Sequence, residues 1–413
     1  MTKSSLFIYS EQETGYRLQQ GHPFNQERLL PTIDLLQKLE AIPESIVRAP
    51  SPASEEQLQS IHSMDYIEAV KALSADCPDE AWQKQADKFG FDLEDTPYFK
   101  DMHEVTSLLV GGSVRAVDEV MSGHAEHALH LGGGLHHALR NRAAGFCIYN
   151  DASVAIEHAK TRYGARVLYI DTDVHHGDGV QWSFYSEPDV CTLSIHETGK
   201  YLFPGTGAVN ERGEGTAFGT CINIPVEPYT EDASWLECLE EVLSKVAEQF
   251  QPDLIVSQHG CDAHAYDPLS HVHCSMDIYL AMPKLIHRIA HEYSGGRWVA
   301  LGGGGYDFWR VVPRAWSLLW LEMSNNPLIP LLEQNRALKL PSAWLKQWQP
   351  MSPVELPTTW LDEADWTPMP RRQEITTKNR QTKELAMLYL SEFISFIRHC
   401  DCSFASVPIT FLA

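Results

Sequence analysis

The stretch DTDVHHGDG, residues 171–179, brings three aspartates and two histidines together directly after the apolar run RVLYI. Asp173 and His175 are two residues apart, and on an extended backbone side chains at that spacing share a face. Asp262, in GCDAH, is the best candidate for a third ligand to a cation bound there. Two carboxylates, one imidazole and a free coordination position predict a catalytic Zn²⁺ or Fe²⁺ site, although DxH alone is also typical of a hydrogen-bond network.

Two further histidines, His136 and His137, lie in GGGLHHA. Adjacent side chains normally point apart, so serving one site requires an irregular loop, which the glycines can provide. A histidine that acts as a base needs an acceptor on its other ring nitrogen, and Asp171 and Asp178 are the candidates. The alternative is a pair of solvated or capping histidines.

Tyr306 follows four glycines in GGGGY and offers a neutral donor for a developing oxyanion, unless it is a core tyrosine. Together these groups suit metal-assisted hydrolysis of an amide. The metal acts as a Lewis acid and lowers the pKa of bound water, while one histidine takes the proton and passes it to the amine. The sequence has no GxSxG motif, which disfavours covalent acyl transfer.

These motifs follow short apolar runs that we interpret as buried strands: HALHL (127–131), RVLYI (166–170), VCTLSI (190–195), DLIVSQ (253–258) and RWVAL (297–301). Helical periodicity covers 230–250, with Thr230 or Asp232 as a cap, and 276–293, with Pro283 in the first turn or at a kink. Alternating strands and helices predict an α/β fold with a mainly parallel sheet, which binds ligands at the carboxyl ends of its strands.

The alternating pattern ends near residue 323. We therefore predict a catalytic domain over residues 1–323 and a C-terminal extension, residues 324–413, packed on that domain. The extension is rich in proline and tryptophan, then basic, and it ends in the apolar helical pattern ELAMLYLSEFISFIRHC.

Composition excludes some classes of function. The chain has 32 basic and 55 acidic residues, a net charge of 32 − 55 = −23, which disfavours a nucleic-acid partner. No segment approaches the length of a membrane span, and the first apolar stretch is too short for a secretory signal, so we expect no membrane partner and a cytoplasmic location. Nine cysteines without a CxxC pair fit a reducing compartment.

The motifs GGGLHHA, GFCIYND, YIDTDVHHGDG, FPGTG, GCDAH and GGGGY occur in the order in which they resemble the zinc-dependent histone deacetylase family. The segments FIYSEQETGYRLQQGHPFNQERL and GGGGYDFWRVVPRAWSLLW most resemble its bacterial acetoin-utilisation deacetylases. The resemblance implies an arginase/deacetylase-like fold, a single open, mainly parallel β-sheet flanked by helices. It also implies deacetylation of a lysine in a cytoplasmic metabolic enzyme, such as acetyl-CoA synthetase.

The same resemblance implies a role for each matching residue. The zinc ligands are Asp173, His175 and Asp262. The catalytic residues are His136 paired with Asp171, His137 paired with Asp178, and Tyr306, with His137 as the main general base and acid. Substrate contacts fall to Asp95, Gly145, Phe146, Phe203, Leu269 and Gly304. Arg28 borders an acetate-release cavity. A structural K⁺ takes oxygens from Asp171, Asp173, His175, Ser194 and Ile195.

Other functions remain open at this point. An acetylpolyamine amidohydrolase would use the same residues with a more closed entrance. An arginase-like enzyme with two manganese ions would require more carboxylates. A non-catalytic acyl-lysine binding protein would be expected to lack Tyr306 or a metal ligand, and all are present. The identity of the protein substrate, the acyl-chain preference and the oligomeric state are not predicted.

Overall fold

The computed structural model of the chain describes residues 5–92, 94–363 and 369–403. Its strands are β1 (Leu6–Ile8), β2 (Val47–Arg48), β3 (His127–His130), β4 (Val167–Asp171), β5 (Val190–Glu197), β6 (Cys221–Val226), β7 (Leu254–Gln258) and β8 (Trp298–Leu301). They form one sheet in the order β2-β1-β3-β8-β7-β4-β5-β6, and all neighbouring pairs are parallel. The carboxyl ends of the strands therefore meet at one edge, and the prediction of a single, mainly parallel sheet is confirmed.

Helices cover both faces of this sheet. They are α1 (Leu29–Lys38), α2 (Glu55–Gln59), α3 (Met64–Leu73), α4 (Glu80–Gln83), α5 (Met102–Met121), α6 (Asp151–Tyr163), α7 (Asp178–Ser183), α8 (Asp232–Phe250), α9 (Met276–Tyr293), α10 (Val312–Met323), α11 (Leu328–Gln334), α12 (Ser342–Trp348) and α13 (Arg372–Ser403). In β4, Leu168 and Ile170 face one hydrophobic core, whereas Val167 and Tyr169 face the other. This alternation gives β4 two buried faces, which explains its uninterrupted apolar sequence.

The five strands inferred from apolar runs are all present, whereas β1, β2 and β6 were not predicted. β1 and β2 contain three and two residues, too few to produce a pattern. β6 has the sequence CINIPV and is an edge strand of the sheet. An edge strand pairs with only one neighbour, so a proline is tolerated there.

The predicted caps of α8 are wrong, and one of the two positions predicted for Pro283 is excluded. Neither Thr230 nor Asp232 caps α8: the Thr230 hydroxyl donates to the Glu227 carbonyl at 2.6 Å, and Asp232 accepts hydrogen bonds from Ser275. Pro283 lies in the interior of α9 rather than in its first turn. Ser275, which bonds Asp232, lies 43 positions away in the chain, so local sequence signals do not reveal this contact.

Residues beyond 323 contact two separate parts of residues 1–323. The indole N–H of Trp344, in α12, donates to the Pro31 carbonyl at 2.8 Å, and that of Trp348 donates to Asp34 at 2.8 Å. Helix α13 packs against α8 and β6, where the Asn379 side chain bonds Thr230 and Ser234. The division at residue 323 itself remains a prediction. Within the described part of the chain, no helix is both long enough and apolar enough to cross a bilayer.

Candidate active site

The predicted site residues gather at the carboxyl edge of the sheet. The histidines of GGGLHHA follow β3, DTDVHHGDG follows β4, GCDAH follows β7 and GGGGY follows β8. Because β3, β8, β7 and β4 are consecutive in the sheet, four short connections supply the whole site. This is where open α/β sheets bind ligands.

Asp173, His175 and Asp262, here called the metal-ligand triad, each offer one ligand atom, and these atoms lie within 4.8 Å of one another. His175 Nδ1 lies 3.1 Å from Asp173 Oδ1 and 3.0 Å from Asp262 Oδ2. The premise that Asp173 and His175 share an extended backbone is wrong, because β4 ends at Asp171 and a bend follows it. The bend is closed by the His175 N–H, which donates to Asp173 Oδ1 at 3.0 Å.

The donor set of the triad fits a divalent cation. Asp173 and Asp262 are buried completely or almost so, and one imidazole cannot balance two buried carboxylates. Burial and the charge of Asp173 raise the pKa of Asp262 to about 6, which reflects this unbalanced charge. Two oxygens and one imidazole nitrogen are ligands that Zn²⁺ and Fe²⁺ both accept.

Surrounding groups fix the carboxylates of the triad. Asp173 Oδ2 accepts from the Gly304 N–H at 2.7 Å and from the Gln258 side-chain amide at 2.8 Å. A Cβ at Gly304 would lie 2.0 Å from Asp262 Oδ2, so only glycine fits between the two carboxylates. Gly304 was predicted to contact substrate, and Gln258, the last residue of β7, was not predicted as a site residue; its position at a strand end was the available signal.

His136 and His137, here called the histidine pair, each contact one carboxylate. His136 Nδ1 lies 2.8 Å from Asp171 Oδ2, and His137 Nδ1 lies 2.7 Å from Asp178 Oδ1. The two Nε2 atoms are 3.0 Å apart. Both rings therefore point their free nitrogens at one place, as expected for groups that exchange a proton with a shared reactant.

The two imidazoles differ in charge. Burial disfavours a charge on His136, but the carboxylates of Asp171 and Asp173 outweigh it and raise the pKa of His136 to about 9. Burial, and then the neighbouring His136, lower the pKa of His137 despite its bond to Asp178. These opposite pKa shifts favour one positive charge on the pair, with His137 as the neutral member.

Two residues of GFCIYND hold the loop that carries the histidine pair. Asp151 accepts from the N–H groups of Gly134 and Leu135, at 2.7–3.1 Å. The Asn150 side-chain amide donates to the carbonyls of His136 and Ala138, both at 3.0 Å. Neither Asn150 nor Asp151 was predicted to have a role, although both lie in a motif shared with the resembling family.

Tyr306 is half-buried beside the triad, with its ring centroid 6.5 Å from that of His175. Asp267, which sequence reasoning missed, accepts from the Tyr306 N–H at 2.8 Å and from the Leu269 N–H at 2.9 Å. Burial, and then the charge of Asp262, raise the pKa of Tyr306 well above 10, so its hydroxyl stays a proton donor.

The two phenylalanines border different parts of the site. The Phe146 ring lies 5.8 Å from the Tyr306 ring, and the Phe203 ring lies 5.0 Å from the His137 ring. Phe203 is exposed and Phe146 is half-buried. A Cβ at Gly145 would lie 2.5 Å from the His137 ring and 2.8 Å from the Phe203 ring, so a glycine is needed where the backbone passes between them.

Asp95 and Arg28 form hydrogen bonds with backbone groups of the protein. Asp95 Oδ2 accepts from the Gly145 N–H at 2.9 Å. The buried Arg28 guanidinium donates to the carbonyls of Gly303 and Gly305 at 2.7 and 2.8 Å, so it braces the turn before Tyr306. The predicted rim and acetate-release roles of Asp95 and Arg28 stay predictions.

The residues assigned to a monovalent cation lie on neighbouring strands. Asp171 of β4 is opposite Ser194 of β5 in the sheet register, with Ile195 next to it. Asp171 Oδ1 accepts from the Asp173 N–H at 3.1 Å, while the Ser194 hydroxyl contacts His196. The K⁺ site stays a prediction.

The sequence of this chain is similar to those of known proteins. A family model described as the histone deacetylase domain matches residues 22–323. The chain is 52% identical over 386 residues to the acetoin utilization protein AcuC of Bacillus subtilis (strain 168), covering 93% of this chain and 97% of the relative. It is 43% identical over 380 residues to the AcuC protein of Staphylococcus xylosus, covering 92% and 96%.

Solved structures show the same similarity. A crystal structure of an HDAC homolog complexed with SAHA matches with a TM-score of 0.79 and 29% identity, covering 92% of this chain and all of the other. The HDAC homolog from Aquifex aeolicus matches with a TM-score of 0.77 and 28% identity over the same shares. Both matches extend over most of the chain.

Proposed function

Because this chain belongs to the histone deacetylase domain family, whose members are metal-dependent, we propose that it hydrolyses the amide of acetyl-lysine in proteins and releases acetate. One observation carries this proposal: the metal-ligand triad, the carboxylate-bound histidine pair and Tyr306 occupy a single site at the carboxyl edge of the sheet. Amide hydrolysis requires an electrophile for the carbonyl, a base for water and an acid for the leaving amine, and these groups can supply all three.

The metal-ligand triad would hold Zn²⁺, with Fe²⁺ as the alternative, since both accept two carboxylates and an imidazole. When bound, such a cation polarises the acetyl carbonyl and lowers the pKa of water. The contribution of the protein is to keep the carboxylates fixed: the Gly304 N–H and the Gln258 amide hold Asp173 in place before any ligand arrives.

The histidine pair would move the proton. His137 is the neutral member and is oriented by Asp178, so its Nε2 can accept a proton from water. The same nitrogen can return that proton to the lysine nitrogen as the C–N bond breaks. Water adds to the carbonyl carbon, the C–N bond breaks, and both protons of water end on the lysine nitrogen, so the products are the lysine ammonium ion and acetate and atoms and charges balance. His136, held protonated by Asp171, keeps positive charge near the reacting carbonyl.

The hydroxyl of Tyr306 would donate to the oxyanion that forms when water attacks. A neutral phenol at a buried site stabilises developing negative charge without needing to reorganise. Asp267 fixes the backbone of Tyr306, and the Phe146 ring packs against its ring, so the donor is held in place.

Substrate binding would depend on the two phenylalanines and the residues near them. A lysine side chain is a thin apolar stem, which suits a passage lined by Phe146 and Phe203. Leu269 would contact the stem at the entrance, and Asp95 and the Gly145 carbonyl would bind polar groups of the substrate. Gly304 would leave room for the acetyl group beside the triad.

The names of the relatives support the proposed metabolic setting, and the proposed substrate rests on the resemblance to bacterial acetoin-utilisation deacetylases. Two of them are called acetoin utilization proteins, so we link this deacetylase to acetoin and acetate metabolism. Acetyl-CoA synthetase in the cytoplasm is the proposed protein substrate, and a structural K⁺ near Asp171 is proposed as a second cofactor.

The proposal is tested by measuring acetate released from an acetyl-lysine peptide and from acetylspermidine by the zinc-loaded protein. We expect faster release from the peptide, with release abolished by a hydroxamate inhibitor. Faster release from acetylspermidine would identify an acetylpolyamine hydrolase instead. Peptide binding without release of acetate would contradict hydrolysis and identify an acyl-lysine binding protein.

A further inference from the structure

A second group of histidines lies at the amino-terminal ends of the strands, on the opposite side of the sheet from the proposed active site. His127 is the first residue of β3, whereas the histidine pair follows the last residue of the same strand. His287 and His291 are four residues apart on α9 and therefore share one face of that helix. We propose that His127, His287 and His291, here called the histidine cluster, form a separate binding site for one imidazole-preferring divalent cation such as Zn²⁺.

The distances within the histidine cluster match those of metal ligands. His287 Nε2 lies 3.1 Å from His127 Nε2 and 3.1 Å from His291 Nε2, and one ring nitrogen of each residue lies within 4.8 Å of the others. Tetrahedral Zn²⁺ with bonds of about 2.05 Å separates its ligand nitrogens by about 3.3 Å. The ring centroids are 4.7, 4.9 and 5.3 Å apart, so the three rings diverge from a common point.

Hydrogen bonding alone accounts poorly for this convergence. His287 Nδ1 lies 2.8 Å from Glu322 Oε1, which can only accept when ionised, so this nitrogen carries the proton and His287 Nε2 presents a lone pair. Both His127 and His291 point a ring nitrogen at that single lone pair. A cation between the rings would instead use one lone pair from each. A carboxylate on the far nitrogen of a ligating histidine is a common feature of metal sites.

The burial of the histidine cluster also suits metal binding. His127 and His287 are buried, and Trp298 packs against both rings at 5.7 and 5.6 Å. His291 is exposed, which leaves a route for the ion and a place for a water ligand.

A cation bound here would join α9 to the start of β3. It would lie away from the proposed active site. The site should therefore increase stability by mass action, because unfolding separates its ligands. It should leave deacetylation unchanged, since none of its residues belongs to the site at the carboxyl edge.

The test is to titrate Zn²⁺ into the metal-free full chain and count the equivalents retained after gel filtration. We expect two for the wild type, one for His291→Ala and one for Asp173→Ala. His124→Ala, which removes another exposed histidine, should retain two. A wild type that retains one equivalent, or a His291→Ala variant that retains two, would overturn the proposal.

Thermal unfolding supplies a second readout that is independent of turnover. In the Asp173→Ala background, Zn²⁺ should still raise the midpoint, and adding His291→Ala should abolish that increase. An increase that survives in the double variant would show that the histidine cluster does not bind the ion. Failure of Asp173→Ala to lose an equivalent would count against the proposed active site and not against the histidine cluster.

Discussion

At the level of single residues, the proposed site depends on the different surroundings of two adjacent histidines. His136 and His137 are adjacent in the chain, but each contacts a different carboxylate, and their pKa values move in opposite directions. Tyr306 keeps its proton because burial disfavours a phenolate. In the proposed mechanism, these differences would allow one proton to pass through the site while the donor to the oxyanion stays neutral.

Replacing Tyr306 with phenylalanine should separate chemistry from metal binding. The variant loses the hydroxyl but keeps the ring, so we expect unchanged metal content and kcat lower by about 10²–10³-fold, the usual effect of removing one oxyanion donor. Steady-state kinetics and elemental analysis check this. Tyr201→Phe, at an exposed tyrosine, is the control and should retain wild-type kcat. A near-wild-type rate for Tyr306→Phe would refute the oxyanion role.

The influence of His136 on His137 predicts a pH effect. His137 accepts a proton only when neutral, and the charge of His136 helps to keep the pKa of His137 below 6.5. Removing that charge in His136→Ala should raise the pKa of His137, so kcat/KM should begin to fall at a higher pH as the solution is acidified. The measurement is the pH profile of residual activity, with His124→Ala as a control. An acid limb that stays in place or moves to lower pH would contradict the assignment.

At the scale of elements, four strand ends deliver the site, and their connections hold it in shape. Apolar runs predicted the strands that carry the motifs, since β3, β4, β7 and β8 are buried on both faces. The flanking acids Asp171 and Asp178 were also identifiable, because they adjoin the metal motif. The position of Gln258 at a strand end was visible in the sequence, but its contact with Asp173 was not, since the two residues are 85 positions apart. Such partners depend on the register of the sheet, which local patterns do not contain.

Asn150 provides a test at this scale. Its side chain accepts from the Ser153 N–H at 2.9 Å, which caps α6, and also donates to the carbonyls of His136 and Ala138. Asn150→Ala should lower stability by about 1 kcal/mol or more through the cap and should also lower kcat by releasing the histidine pair.

Ser275→Ala is the matched control, because it removes the cap of α9 away from the histidine pair. Both variants are assayed at a temperature where circular dichroism shows them folded. We expect lower kcat in Asn150→Ala alone. An unchanged kcat in that variant would mean that the loop holds its shape without Asn150.

At the scale of the whole molecule, residues beyond 323 are joined to the active-site loops. Asp362 lies 3.0 Å from Arg314 in α10 and 3.0 Å from His264, which follows the proposed metal ligand Asp262 by two positions. The sequence predicted that this extension packs on the catalytic domain, but it gave no sign of these contacts. The ion pair is almost completely buried, with side-chain exposures of 1% for Arg314 and 8% for Asp362.

Breaking this buried pair should be costly. Asp362→Ala leaves Arg314 without its carboxylate, and we expect a loss of about 3 kcal/mol in the free energy of unfolding at neutral pH. Burial opposes the charge of Asp362, but the His264 hydrogen bond and Arg314 together lower its pKa below the ordinary 3.8. The stabilisation is therefore fully present above pH 3.8 and is lost as the pH falls below that value.

Denaturant unfolding at several pH values measures this effect, with Glu363→Ala, at the exposed neighbouring residue, as the control. The difference between wild type and Asp362→Ala should be largest near neutral pH and should shrink in acid. A difference that is absent at neutral pH, or that grows in acid, would contradict a stabilising ion pair.

The most direct test of the central claim measures metal content and acetate release on the same preparations of wild type and Asp173→Ala. We expect Asp173→Ala to stay folded, to hold one equivalent of divalent cation fewer than wild type and to release no acetate from an acetyl-lysine peptide above background. Unchanged metal content or wild-type acetate release in Asp173→Ala would contradict the central claim.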